Sequence, residues 1–210
     1  MKQISIVILG IFVFSTSVTA GNTKNSATVF NVETKQSKVL WTGKKVTGEH
    51  TGTLNLATGE VMVEGNTVIN AQVKMDMNSI VCTDITNADV NQKLVGHLKS
   101  DDFFSVDKFP QALFSATTFK PNPAGTDGNN YLVSGKLTIK GITRDISFPA
   151  KVEINNGQLK ANGKAKIDRT QYDIKYGSGS FFKGLGDNLI YNDFEIEFDL
   201  VASAVGLTSK

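Results

Sequence analysis

The stretch LVGHLKSDDFFSVDKFPQALF, residues 94–114, changes character three times within 21 residues. Leu94 to Leu98 ends a helical pattern that begins upstream. There, Thr86-Asn87-Ala88-Asp89 has the form of a capping box ahead of an apolar run. Val90, Leu94 and Leu98 follow at a spacing of four, a narrow apolar stripe expected to pack onto a sheet or across the end of a barrel. Ser100-Asp101-Asp102-Phe103-Phe104 reads as a second helix start, a short polar cap before two aromatics. Phe109-Pro110 then stops helix formation, and Ala112 and Phe114 begin an alternating strand. Nearly everything on either side reads as strand. The segment is therefore a helical, aromatic interruption in a β chain, and what it covers is the central question.

Working outward, Val39, Trp41 and Gly43 share one face of a strand that starts the alternation. Leu54 and Leu56 oppose Thr51, Thr53 and Asn55, and turns follow at Ala57-Thr58-Gly59 and Glu64-Gly65-Asn66. A long strand places Ile69, Ala71, Val73, Met75 and Met77 on its apolar face and Val68, Asn70, Gln72, Lys74 and Asp76 on the other. Downstream, Leu113 to Phe119 alternates, Pro121 to Asn130 is a loop, and Val133, Gly135, Leu137 and Ile139 form the next apolar face. Ile146 to Ile154 resumes after Gly141, Asn155-Asn156-Gly157 marks a hairpin, and Leu159 to Ile167 presents mostly small inward residues. The last strand is Phe194, Ile196, Phe198 and Leu200 against Glu195, Glu197 and Asp199. Eight to ten strands joined by short turns predict an all-β, up-and-down antiparallel barrel of about eight strands, with one or two short helices between strands. A two-sheet sandwich is the rival arrangement. The small residues Gly135, Ala161, Gly163 and Ala165 argue for space inside. Asp168 to Asp193 shows no clean alternation but carries Tyr172, Tyr176, Phe181, Phe182 and Tyr191, so it reads as an aromatic lid beside a barrel mouth.

The 210 residues divide into an export signal, residues 1–20, a polar and disordered stretch, 21–27, one β domain, 28–204, and a tail, 205–210. Lys2 supplies the positive start of the signal, Ile4 to Phe14 its apolar run, and Val18-Thr19-Ala20 the small-residue cleavage site. A periplasmic or secreted location after cleavage near Ala20 follows as an expectation. The formal charge of +2, with charges interspersed, gives no support to nucleic-acid binding. The single cysteine, Cys82, leaves no internal disulfide. It reads first as a buried small apolar residue, with a reactive or bridging thiol as the alternative.

Motifs for catalysis are weak. Gly177-Ser178-Gly179 lacks the later glycines or lysine of a phosphate loop, since position 182 is Phe182 and Gly184 is followed by Leu185. His50 and His97 show no HxxxH spacing and Cys82 no CxxC, so no metal and no cofactor are expected. No GxSxG is present, and Asp101-Asp102 suits a first helical turn. The chain does not read as an enzyme. What remains is apolar capacity: 13 Phe, several on strand faces or beside the irregular segments.

HLKSDDFFSVDKFPQALF (residues 97–114), GKLTIKGITRDISFP (135–149) and DRTQYDIKYGSGSF (168–181), with the opening WTGKKVTGEHTG (41–52), resemble the YceI-like family in the same order. The resemblance implies a lipocalin-like barrel, exported, holding a polyisoprenoid or quinone-like chain in its lumen as carrier, store or scavenger, without catalysis. It also implies a homodimer in some members and transient membrane contact. A solid-cored interaction module without lipid is the alternative. The cavity wall expected from these readings is Trp41, Met75, Met77, Leu94, Leu98, Phe103, Phe104, Phe114, Leu137, Ile139, Phe148, Phe181, Phe194, Ile196 and Phe198. Head-group contacts are expected from Arg169, Tyr172, Tyr176 and Lys183, an anionic head favouring Arg169 or Lys183. Burial of each CH₂ stabilises by about 0.8 kcal/mol, so a long tail alone binds well while an apolar tunnel discriminates tails weakly.

Overall fold

The computed structural model describes residues 27–206. The expected export signal and most of the polar stretch after it lie outside these residues. Nine strands run in chain order: β1 (Thr28–Val32), β2 (Lys38–Lys45), β3 (Gly48–Glu64), β4 (Thr67–Cys82), β5 (Gln111–Pro121), β6 (Tyr131–Ile139), β7 (Ile142–Asn155), β8 (Gln158–Asp168) and β9 (Ile190–Ala204). Among the described residues one α-helix, α1 (Ala88–Lys99), sits between β4 and β5. From β2 to β9 each strand pairs antiparallel with the next, and β9 pairs back to β2. The sheet therefore closes as an eight-staved up-and-down barrel, not a sandwich. β1 pairs with both β3 and β9, so it continues the stave of β2 beyond a turn at residues 33–37. Closure leaves no long edge unpaired.

All loops that carry unusual sequence fall at one end. β2–β3, β4–α1–β5, β6–β7 and β8–β9 connect there; this is the helix end. β3–β4, β5–β6 and β7–β8 connect at the opposite, turn end, with β1 alongside. At the turn end Asn156 and Gly157 take φ of 49° and 75°, the left-handed pair a two-residue hairpin requires.

Four β-bulges change which residues face inward. One, between Leu56 and Thr58, lies where β3 runs on through the turn expected at Ala57-Thr58-Gly59, and the buried set passes there from Leu54 and Leu56 to Val61 and Val63. The β3–β4 register shifts between Met62 and Val63, so Val68 is buried and Ile69 is exposed, the reverse of simple alternation. A second shift, between Thr53 and Asn55, turns Ile80 and Cys82 inward after Met77. In β5 a shift between Ala116 and Thr118 brings Phe119 to the inside with Phe114, although alternation sets them on opposite faces.

The helix forms where expected but is not held by an apolar stripe. Asn87 is its N-cap and accepts from the Val90 N–H at 3.1 Å. Leu98 packs on the core, Leu94 is half-buried, and Val90 is exposed. Polar bonds tie the helix to β4: Asn91 Nδ2 donates to the carbonyls of Cys82 and Ile85, and Lys99 Nζ to that of Asn78. The second helix start is corrected to a series of turns. Ser100 is the C-cap of α1, its N–H donating to the carbonyls of Gly96 and His97, and Ser105 adopts φ 48°. The chain curls back so that the N–H groups of Phe104 and Val106 meet the carbonyls of Leu98 and Lys99. This folding drives Phe103 and Val106 into the core.

Candidate functional site

Two apolar chambers lie in line within the barrel, of about 130 and 120 Å³. The inner chamber is lined entirely by apolar side chains, among them Val73, Phe114, Phe148, Ala161, Phe198 and Leu200. The outer chamber reaches the helix end, where Leu98, Phe103 and Phe104 roof it. Met75, Leu137, Ile167 and Ile196 line both, forming the waist between them. Each chamber is close to the roughly 150 Å³ that accommodates a benzene-sized group in an apolar, dry cavity. Voids of this size are uncommon in a close-packed interior.

Of the expected wall residues, Trp41, Met77, Leu98, Phe103, Phe104, Ile139 and Phe194 line the outer chamber, and Phe114, Phe148 and Phe198 the inner. Leu94 and Phe181 line neither; Leu94 stays on the helix and Phe181 is exposed at 49%. The polar rim differs more. Arg169 does line the outer chamber, but Tyr172, Tyr176 and Lys183 do not. Lys44, Tyr191 and Asp193 line it instead. Tyr191 and Asp193 read as part of an irregular loop; in the structure they belong to β9, which starts at Ile190 and pairs Asp193 with Asp168. Ile167 also lines the chamber and lay on the face already read as inward.

The glycines do not simply create space. A Cβ on Gly52 would sit 2.6 Å from the Trp41 ring and closer still to the Val81 carbonyl. Trp41 therefore covers its cross-strand partner, and its Nε1 donates to the Val81 carbonyl at 3.1 Å. Gly163 likewise leaves room for the Phe198 ring, which lies 2.8 Å from where its Cβ would be. The gap at Gly163 is filled by its partner rather than added to the lumen, whereas Ala161 and Ala165 do line the inner chamber.

Residues 169–189 form a packed base with an exposed tip. Arg169 is buried and donates to three backbone carbonyls: Nε to Tyr191 at 3.1 Å, Nη1 to Ile174 at 2.9 Å and Nη2 to Ile190 at 3.0 Å. Burial pulls its guanidinium below the usual value, with Asp168 acting in the opposite direction. It also lies 5.9 Å above the Phe103 ring. Tyr172 and Ile174 are fully buried, and the Tyr172 hydroxyl has no hydrogen-bond partner. Ser178, also fully buried, donates to Asn192 Oδ1 at 2.7 Å. Phe182 and Lys183 are exposed at the tip. The aromatic segment is thus a plug packed down at its base, not a free flap.

The two irregular segments meet over the chamber. His97 packs edge-on against Phe103 and Tyr176, with ring centroids 4.8 and 4.5 Å away. Lys140 Nζ, on the β6–β7 turn, donates to the carbonyls of Asp101 and Asp173, bridging the segments at 3.4 and 3.2 Å. Phe104 meets Phe194 of β9. Among the described residues no helix is long and apolar enough to cross a membrane.

Comparison with known proteins agrees with this geometry. The solved structure of BcnA from Burkholderia cenocepacia superposes with a TM-score of 0.64 at 25% identity, covering 82% of this chain and 99% of that one. A polyisoprenoid binding domain from Saccharophagus degradans, implicated in plant cell wall breakdown, shares the fold with a TM-score of 0.60 at 16% identity, over 83% and 98% of the two chains. Protein YceI of Escherichia coli O157:H7 is 31% identical over 114 residues, 54% of this chain and 53% of that protein. The matched region thus spans about half the length of such curated relatives. The YceI-like domain matches residues 30–202, from β1 almost to the end of β9. With the closed barrel, its helical plug and that match in hand, the chain belongs to the YceI-like family.

Proposed function

We propose that this protein binds a long apolar chain, of the polyisoprenoid or quinone-like class, threaded through both chambers with its head at the helix end. The observation that carries the reading is a run of inward side chains that keep surface open to a void, even though Phe114 and Phe198 also stack on Phe148 at 5.3 and 5.6 Å. Phe114, Ile146, Ala161, Phe198 and Leu200 point inward in the middle of the barrel yet remain only partly buried. The fold shared with the Saccharophagus degradans polyisoprenoid binding domain supports the same ligand class. Each chamber admits about one small ring's volume, so a longer tail must push the waist apart. Met75 is suited to that, being unbranched and adaptable. At the rim three of the five Arg169 N–H groups donate to carbonyls, and Lys44 is paired with Glu49 and Glu195 at 3.6 and 3.8 Å. An anionic head is therefore met by the two remaining Arg169 N–H groups or by Lys44 exchanging its carboxylates for the head. The protein acts as a binder, not a catalyst, and residues 1–20 direct its export to the periplasm or beyond.

The test is the organic extract of protein purified from its native host, read by mass spectrometry, with uptake of a fluorescent polyene measured in parallel. Near-stoichiometric lipid is expected. Ala161→Phe fills the inner chamber and should abolish uptake while the far-ultraviolet spectrum stays that of a barrel. Protein with neither extractable lipid nor polyene uptake would overturn the reading in favour of a solid-cored interaction module.

A further inference from the structure

At the helix end, away from both chambers, three side chains of metal-binding type converge: His50 on β3, Cys82 at the end of β4, and Asp84 just beyond it. Their ligating atoms lie within 4.8 Å of one another. His50 Nδ1 is 2.8 Å from Asp84 Oδ2, and Cys82 Sγ donates to Asp84 Oδ1 at 3.2 Å. We propose that His50 Nδ1, Cys82 Sγ and an Asp84 carboxylate oxygen form a three-ligand site for a borderline-soft divalent cation of the Zn²⁺ type.

Bond lengths support the fit. Metal–ligand bonds of about 2.0 to 2.3 Å in a tetrahedron set ligand atoms roughly 3.3 to 3.6 Å apart, so the present spacing closes on an ion with side-chain shifts of an ångström or less. The backbone around the site is fixed by the ladder: Gly52 pairs with Cys82, and the Thr83 N–H donates to the Thr51 carbonyl at 2.9 Å. The Thr51 N–H donates to Asp84 Oδ1 at 2.9 Å and so orients the carboxylate. His50 and Asp84 are each about one-third exposed, at 35% and 34%, so a fourth position remains open to water. The donor set of thiolate, imidazole and carboxylate disfavours Mg²⁺ and Ca²⁺, which take oxygen ligands.

A nucleophilic thiol is the competing use of these groups, and the order of contacts argues against it. An activated cysteine needs its base beside the sulfur. Here the carboxylate stands between thiol and imidazole. Burial first, then Asp84, pushes the Cys82 thiol up, keeping it protonated. Metal binding changes that balance: the Cys82 S–H bond breaks, the S–metal bond forms, and the proton leaves to solvent. His50 presents Nδ1 to Asp84 as a donor, so that N–H must be given up for Nδ1 to ligate. The Cys82 proton therefore leaves with each ion bound.

The test uses the purified, tag-free chain, stripped with a chelator and held in a non-thiol reductant, titrated with Co²⁺ and Zn²⁺. One equivalent should bind, with a thiolate-to-cobalt absorption band and about one proton released per ion. Cys82→Ser should abolish the band and weaken binding at least about ten-fold, and His50→Gln, at a part-exposed position, should weaken it about 10- to 100-fold while the fold persists. Binding without the thiolate band, or equal binding by wild type and His50→Gln, would overturn the site and leave the cluster as a polar clasp between β3 and the start of α1. No lipid enters this measurement, so its outcome is independent of the lumen's ligand.

Discussion

At the turn end of the barrel, Glu64-Gly65-Asn66, Asn155-Asn156-Gly157 and the loop at 121–131 close the staves by backbone pairing. There the Asn122 N–H donates to the Asn130 carbonyl at 2.8 Å and the Asn130 N–H to that of Ala150 at 3.1 Å, with the Asn130 side chain adding two 2.8 Å bonds to the Val152 backbone. At the helix end, closure comes from side chains: Arg169 gathering three carbonyls, Lys140 bridging two segments, and the rings of Phe103, Phe104, His97 and Tyr176 over the outer chamber. Backbone pairing is local and cooperative with the sheet. Side-chain closure can open without unpairing a strand. On the proposed reading, the helix end is therefore where an apolar guest enters at little cost to the barrel.

Removing the tie at Arg169 should break this contrast most. Arg169→Ala leaves three carbonyls without their cationic donor and should cost about 3 to 5 kcal/mol, read from denaturant unfolding. Hydrogen exchange should rise across residues 169–189 and stay slow across the β7–β8 hairpin. Equal loss at both ends would show that the barrel does not open from one end. Leu137→Ala, at the waist, should cost about 2 to 5 kcal/mol through lost burial and a residual cavity. It should also admit bulkier polyenes, because the chambers then merge. A drop in polyene size range would contradict the in-line arrangement.

Two smaller changes sharpen the comparison. Tyr172→Phe, beneath the plug, should stabilise the protein by about 1 kcal/mol, since it deletes a buried hydroxyl that has no partner. Burial pushes that phenol up, so alkaline titration of wild type should also find Tyr172 the most resistant of the tyrosines. Gly157→Ala at the turn end should cost about 1 kcal/mol through its left-handed backbone, without altering ligand uptake.

The acid limb tests the helix end by itself. Burial alone raises the Asp84 carboxyl, but hydrogen bonds from His50, the Thr51 N–H and Cys82 outweigh it and hold it at about 2. A depressed carboxyl contributes stability that is present above its unfolded value near 3.8 and fades as pH falls toward 2. Wild type should therefore lose more stability between pH 4 and 2 than Asp84→Asn does. Parallel curves would show that these contacts do not stabilise the fold.

The barrel was legible in the chain because period-two alternation and glycine-bearing turns act locally, strand by strand. Val133, Leu137 and Ile139, or Phe194, Ile196 and Phe198, declare their inward face without any partner. Most of the lumen wall follows, since inward residues of a closed sheet meet at its axis. The bulges were not legible. Ile69 and Phe119 change face because a partner strand absorbs an extra residue, and that depends on the register of two chains together. The rim was legible only in part: Arg169 was expected there and lines the outer chamber, but the carbonyls 5 to 22 residues away to which three of its five N–H groups donate are set by the fold. His50, Cys82 and Asp84 carry no metal-ligand spacing, and only the pairing of Gly52 with Cys82 brings them together. The sequence by itself determined the strands and, between bulges, their faces, because side-chain parity is a property of one strand. Tertiary structure alone decided the bulges, the plug and the convergent side chains, because each depends on which distant backbone groups a side chain finds when the sheet closes.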